Sequence, residues 1–528
     1  MHPNMKTKIV FLFSILFVLA PLLQAELKLP SIISDHMVLQ QKQADPIWGW
    51  DTPGTKIVVS FAGKSYTTTA GSDGKWTVKL DPMSANATPQ TISIAGSSKR
   101  EIQDVLIGEV WMCSGQSNME FYLSQDWNGP VEVAAANIPA IRLISVPRVG
   151  TQELQKDFNG QWQASTPETA KNFSAVGFLF GRAIHQILNV PVGLINCSWG
   201  GSSAEAWVRR TSLEQDSRFK RLMEATAKTE SDIQSGILKP VFEKQLADWK
   251  VASEKAKAEG KPAPSQPRNP ERFLTEQNRP GNIFAGMVYP TLGFGIKGVV
   301  WYQGESNAGQ ACEYNALFPF LIEQWRKEQG QGDFPFYWVQ LANFKAEKPA
   351  PGESQWAELR EAQTKSLKLP KTGQAVIIDL GEGKDIHPKN KHDVAARLVR
   401  WALVNDYGMT MPYRSPEFQS VAFNGNKATV TLDCFNSLLR PFGSEEVKGF
   451  ALCGEDKVWH WAKGKILGQN QVEVSSEDVA APVAIRYAWA DNPICNLYSN
   501  DGLPVTPFRT DDFPMITEPK PTPPAGLK

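Results

Sequence analysis

Five short runs rich in apolar and β-branched residues, Val105–Met112, Val190–Asn196, Gly298–Tyr302, Phe336–Leu341 and Ala375–Leu380, constrain the fold of this chain more than any other feature. Each is too short for a free-standing helix, and helical patterning separates one from the next. That combination predicts an α/β fold with a mainly parallel sheet covered on both faces. Within Phe173–Leu188, for example, Val176, Leu179, Phe180, Ala183, Ile184 and Ile187 recur at the i, i+3, i+4 spacing of a helix packed on that sheet. The stretch at about 209–280 breaks the alternation: it is rich in Lys, Glu and Ala and then in Pro, which predicts a helical insertion followed by an extended loop.

The flanks read differently. Ile57–Phe61, Ser65–Thr69, Trp76–Leu80 and Thr91–Ile94 are strand-like, with Gly71-Ser72-Asp73-Gly74 as a hairpin-like break. Gln419–Phe423, Lys427–Leu432, Val472–Ser475 and Val483–Trp489 follow the same pattern, with Asn424-Gly425-Asn426 as a hairpin turn. The expected organisation is a leader at 1–25, a β-sandwich at 26–105, the α/β unit at 106–410, a β-rich region at 411–516 and a Pro-rich tail at 517–528. The leader rests on Lys6 and Lys8 ahead of the apolar run Ile9–Leu23 and on Ala25 as a small residue at a cleavage point. It predicts a secreted or periplasmic protein with no membrane span after cleavage; an uncleaved anchor is the competing reading, disfavoured because the run is short and contains Pro21.

Composition narrows the function. The 528 residues carry 55 Lys+Arg against 55 Asp+Glu, with 42% hydrophobic and 21% charged, which excludes disorder, collagen and a polytopic membrane protein. A balanced charge offers no long-range field for phosphates, so nucleic acid is not an expected partner. Cys113, Cys197, Cys312, Cys434, Cys453 and Cys495 are scattered rather than in CxxC pairs, which argues against a zinc knuckle. Some of them are candidates for disulfides in an oxidising compartment, with the pairing left open. The oligomeric state is open as well.

In an open parallel sheet ligands bind beyond the carboxyl ends of the strands. Here those ends carry Cys113-Ser114-Gly115-Gln116-Ser117-Asn118-Met119-Glu120, Ser198-Trp199-Gly200-Gly201-Ser202, Gln303-Gly304-Glu305-Ser306-Asn307 and Gly381-Glu382-Gly383-Lys384-Asp385-Ile386-His387-Pro388. A hydroxyl, glycine amides, side-chain amides and carboxylates, and an Asp-x-His pair are together the parts needed for acyl transfer. Ser117 is the first choice as nucleophile, because Gly115 permits a tight turn and the Ser117 amide would open a following helix whose N-terminus favours an oxyanion. Met119 stands where a G-x-S-x-G elbow would have its last glycine, which counts against that motif. His387 is one of six histidines and the candidate base, with Asp385 placed to orient it. A metal site of Asp385, His387 and His392 is the weaker alternative. His36, His185 and His460 read as structural or surface residues.

The quoted loops resemble the sialate O-acetylesterase family of SGNH-type hydrolases. The similarity extends to Ser34-Asp35-His36-Met37-Val38-Leu39-Gln40, Trp356-Ala357-Glu358-Leu359-Arg360-Glu361-Ala362-Gln363 and Arg486-Tyr487-Ala488-Trp489, with 209–270 matching least well. The resemblance implies a three-layer α/β/α core and serine esterase chemistry on acetylated sugars, with 9-O-acetylated sialic acid as the namesake substrate. It carries Ser117 over as nucleophile and His387 as base. The third member is Asp385 or, on the pattern of related acetyl esterases, Glu305, since Lys384 occupies the family's usual Asp-x-x-His position. For the oxyanion hole it implies the amides of Ser117 and Gly201, with the side chain of Gln303 or of Asn307 as third donor. No metal or organic cofactor is expected. An esterase of acetylated xylan would share every motif, and a non-catalytic carbohydrate-binding protein remains the alternative from another class.

Overall fold

The computed structural model describes residues 26–519; the expected leader at 1–25 and residues 520–528 of the Pro-rich tail lie outside them. The central strands are β1 (Lys99–Gly115), β2 (Ile138–Ser145), β3 (Val192–Ser198), β4 (Gly298–Tyr302), β5 (Phe336–Val339) and β6 (Thr372–Ala375). They run parallel in the order β6-β5-β4-β1-β3-β2. The chain places β2 and β3 on one side of β1 and every later strand on the other, so the connections change direction at β1. In open parallel sheets such a change of direction marks where ligands bind, here beyond the carboxyl ends of β3, β1 and β4.

Alternation along β1 accounts for the cover on both faces. Val110 and Met112 enter one apolar core together with α3 (Ala311–Gln329) and α4 (Gln355–Lys365). Trp111 and Cys113 enter another with α2 (Ala175–Leu188) and α5 (Lys391–Asn405). The ends of α2 are set locally: the Ser174 hydroxyl accepts the Gly177 amide at 3.0 Å, and Asn189 closes the helix in the left-handed region at φ 52°.

Four features depart from the sequence expectation. β2 was not foreseen, because Pro139 and Arg142 interrupt its apolar pattern; Arg142 is buried by a two-pronged bond to Asp104, at 2.6 and 3.0 Å. The run expected at Ala375–Leu380 stops pairing at Ala375, and Val376 and Ile378 turn into the C-terminal core instead. Gly71–Gly74 is a turn but not a hairpin: Lys64–Thr69 pairs with Lys56–Phe61, whereas Lys75–Lys79 pairs with Pro46–Trp50 in a separate ribbon. Finally, the expected boundary at 105/106 falls inside β1, whose first half pairs with Asn86–Ala95 and whose second half joins the central sheet.

The C-terminal region contains a seven-stranded antiparallel sheet, and its opening pair Glu417–Asn424 and Lys427–Asp433 turns at Gly425-Asn426 as expected. It is tied to the central sheet by Arg360, fully buried, which donates to the carbonyls of Leu341, Ala342, Ala490 and Asp491. In the insertion, the helix Leu238–Ala258 buries no residue. All six cysteines are free thiols, so no disulfide supports the fold. Among the described residues no helix is long and apolar enough to cross a membrane.

Candidate active site

The turn after β1 presents Ser117. Gly115 has φ +136°, and a Cβ on it would stand 2.1 Å from the Tyr302 carbonyl oxygen, so only glycine lets β4 approach this closely. The turn is held from both sides: Gln116 N–H donates to Tyr302 O at 2.9 Å, and Trp199 N–H donates to Gly115 O at 3.0 Å. The helix after it, α1 (Ser117–Glu120), has only four residues, so its macrodipole is weaker than the sequence reading supposed and the local direction of its N–H groups matters more.

His387 lies on the loop that leads into α5, and its Nε2 and the Ser117 hydroxyl are hydrogen-bonded at 2.9 Å. Phe121 stacks on the imidazole with ring centroids 6.5 Å apart. Asp385 Oδ1 accepts the His387 backbone N–H at 2.9 Å and stands 3.4 Å from Nδ1. The side chains of His387 and Asp385 are 36% and 43% exposed, so the pair sits at a shallow, wet mouth. Glu305 turns elsewhere: its Oε1 accepts from Asn118 Nδ2 at 2.6 Å, and its Oε2 is buried without a partner. Burial pushes the Glu305 carboxyl above the usual range.

Gly200 packs against Ser117, since a Cβ on it would lie 3.3 Å from Ser117 Cβ. Its N–H is already committed to Glu120 Oε2 at 2.7 Å, and the other oxygen of Glu120 pairs with Arg148. Gly201 follows with φ +71°, beside Gln277 at the return of the insertion. Gln303 is fully buried: its Nε2 donates to Ser202 O at 3.1 Å and to Asn307 Oδ1 at 2.7 Å, and its Oε1 accepts from Tyr314. Asn307 donates to Glu205 Oε2 at 3.0 Å, a carboxyl that burial pushes upward. Of the two amides, that of Asn307 makes one such donation and that of Gln303 makes two.

The sequence reading missed Asn118, Phe121 and Lys391. Asn118 was quoted in the motif without a role, and its position directly after Ser117 was the available signal. Lys391 is buried, and its Nζ donates to Asn118 Oδ1 at 2.6 Å. Among the described residues the other histidines stand apart: His36 pairs with Asp104, His185 with the Val190 carbonyl, His392 with its neighbour Asp393, and His460 with Asp478. Among the described residues no group of three or more His, Cys, Asp or Glu is placed to hold a metal ion.

The model of a carbohydrate esterase family described as sialic acid-specific acetylesterase matches residues 107–239 and 285–398. Those two segments contain all four polar loops. Human sialate O-acetylesterase is 30% identical, with 90% of this chain and 91% of the relative covered, and the mouse protein is 29% identical over 90% and 93%. The crystal structure of a carbohydrate acetylesterase from Xanthomonas citri is 38% identical and superposes with a TM-score of 0.78, covering 92% of this chain and 100% of that one.

Proposed function

Since the chain belongs to the sialate O-acetylesterase family, we propose that it removes O-acetyl groups from sialic acids through a serine acyl-enzyme. Family membership makes the protein a carboxylic ester hydrolase of acetylated sugars. The finer reading, with Ser117 as nucleophile on an SGNH-type core, rests on one observation: the 2.9 Å bond between the Ser117 hydroxyl and His387 Nε2.

In this mechanism His387 Nε2 takes the hydroxyl proton as Ser117 Oγ bonds to the acetyl carbonyl carbon. The carbonyl π electrons move to oxygen, and the N–H groups of Ser117 and Gly201 with the Asn307 side-chain amide receive the charge. Asn307 is preferred to Gln303 because both Gln303 amide hydrogens are committed within the protein. Collapse breaks the bond to the sugar oxygen, which leaves with the proton from His387. Water then attacks the acetyl-serine, gives its proton to His387, and acetate departs as Oγ recovers it. Asp385 orients the imidazole; its oxygen is close to Nδ1, whereas Glu305 bonds to Asn118.

The test is acetate release from 9-O-acetylated sialic acid and from acetylated xylan by the purified chain and by Ser117→Ala. Release from the sialic acid, lowered at least ~10³-fold in the variant, is the expected result. Release from xylan alone keeps the mechanism and overturns the substrate, and near-wild-type turnover by Ser117→Ala overturns the mechanism.

A further inference from the structure

Beneath the Ser117–His387 contact lies a cation that acyl transfer does not itself require. Lys391 opens α5 and is fully buried, with its Nζ donating to Asn118 Oδ1 at 2.6 Å and standing 4.7 Å from the Phe121 ring centroid and 5.2 Å from that of Tyr302. Asn118 directly follows the nucleophile. Its Nδ2 donates to the carbonyl of Ile386, the residue before His387, at 3.0 Å, and to Glu305 Oε1 at 2.6 Å. One amide therefore touches the backbone of the histidine loop while belonging to the nucleophile turn.

An asparagine amide can point either way round, and only one way gives Ile386 O a donor. Lys391 Nζ donates to the Asn118 oxygen while the oxygens of Ile386 and Glu305 accept from its NH2, so the lysine closes the set of contacts that fixes this orientation. We propose that Lys391 is a positioning residue for the esterase reaction: by fixing the Asn118 amide it holds the nucleophile turn and the histidine loop at the separation proton transfer needs. The assignment rests on the reading of Ser117 and His387 as nucleophile and base.

The cost of the arrangement supports this role. Burial pushes the ammonium down to about 7, against the opposing pull of Glu305 and Asp126. A methionine or leucine would fill the same space without a buried charge, so packing alone does not account for a lysine here.

Lys391→Met, which keeps the volume and removes the donor, is compared with Asn118→Ala and with the double variant for kcat and KM on 4-nitrophenyl acetate, folding being followed by circular dichroism. The expected result is a kcat lower by about 10- to 100-fold in each single variant with KM unchanged. Because the lysine acts through the amide, the double variant should lose no more than Asn118→Ala alone. A Lys391→Met kcat within about threefold of wild type, or losses that multiply in the double variant, would overturn the proposal. If Lys391→Met does not fold, Asn118→Ala alone decides, and a kcat within about threefold of wild type is the overturning result. Activity retained in Ser117→Ala sinks the underlying reading; an inactive Ser117→Ala beside a fully active Lys391→Met sinks only this one.

Discussion

Replacing Asp385 by Asn tests the orienting role at one atom of cost. The carboxylate oxygen is 3.4 Å from His387 Nδ1, with the two side chains 43% and 36% exposed. At that separation an imidazolium and a carboxylate attract by about 1 kcal/mol in bulk water and about 2.5 kcal/mol at an effective dielectric constant of ~40, the range suited to a wet mouth. In the proposed mechanism the imidazolium forms on the way to the transition state, so Asp385→Asn should lower kcat by about 5- to 70-fold, since ~1.4 kcal/mol is a factor of ten. That is well short of the Ser117→Ala loss, and KM should hardly move, because the pair does not bind the sugar. Steady-state acetate release from one substrate at one pH gives both constants. Glu305→Gln is the companion variant, and its amide still offers Asn118 an acceptor, so a change of no more than about threefold is expected. A larger kcat loss in Glu305→Gln than in Asp385→Asn would refute the assignment. A loss beyond about 10³-fold in Asp385→Asn would show the carboxylate to be far more desolvated in the working enzyme than its exposure indicates.

Four further outcomes are expected. Gly115→Ala combines a φ of +136° with a Cβ 2.1 Å from the Tyr302 carbonyl, so it should cost about 3 kcal/mol or more and leave little active protein. Gly309→Ala, with open space around it, should melt within about 2 °C of wild type in the same thermal scan. Asp45 is buried, and burial raises its carboxyl well above the usual range. Its folded-state pKa exceeds the unfolded one of about 4, so the fold is unpenalised below that pH and loses stability as pH rises through the folded value. Asp45→Asn should therefore raise Tm at pH 8 and leave it unchanged near pH 4, and an equal shift at both would refute the sign. Because the six cysteines are free thiols, a reducing agent should leave Tm unchanged, and a fall on reduction would reveal a disulfide.

The loops that meet around Ser117 and His387 were legible because local chemistry marks them. The turn Gly115-Gln116-Ser117 needs a glycine where backbone must approach backbone, and the loops after the apolar strands carry a hydroxyl, amides, carboxylates and a histidine together. Lys391 was not legible, because a lysine between asparagine and histidine carries the same local signature whether solvated or buried. β2 was missed for a related reason: Arg142 looks like a surface residue until Asp104, well before it in the chain, neutralises it. The strand expected at Ala375–Leu380 ran too long because burial alone does not say which core receives a residue, and Val376 and Ile378 belong to the C-terminal one.

The sequence by itself determined the mainly parallel sheet, a helix within Phe173–Leu188 and the polar loops after the strands, since periodicity and turn chemistry act over a few residues. Only the tertiary structure decided that Ser117 and His387, 270 positions apart, share a 2.9 Å bond, that Asp385 rather than Glu305 lies beside the imidazole, and that Asn118 joins the two loops over Lys391. Those contacts depend on strand order across the switch at β1 and on the burial it creates. No local pattern encodes either, because a side chain's partner across a crevice is chosen by the packing of elements far apart in the chain.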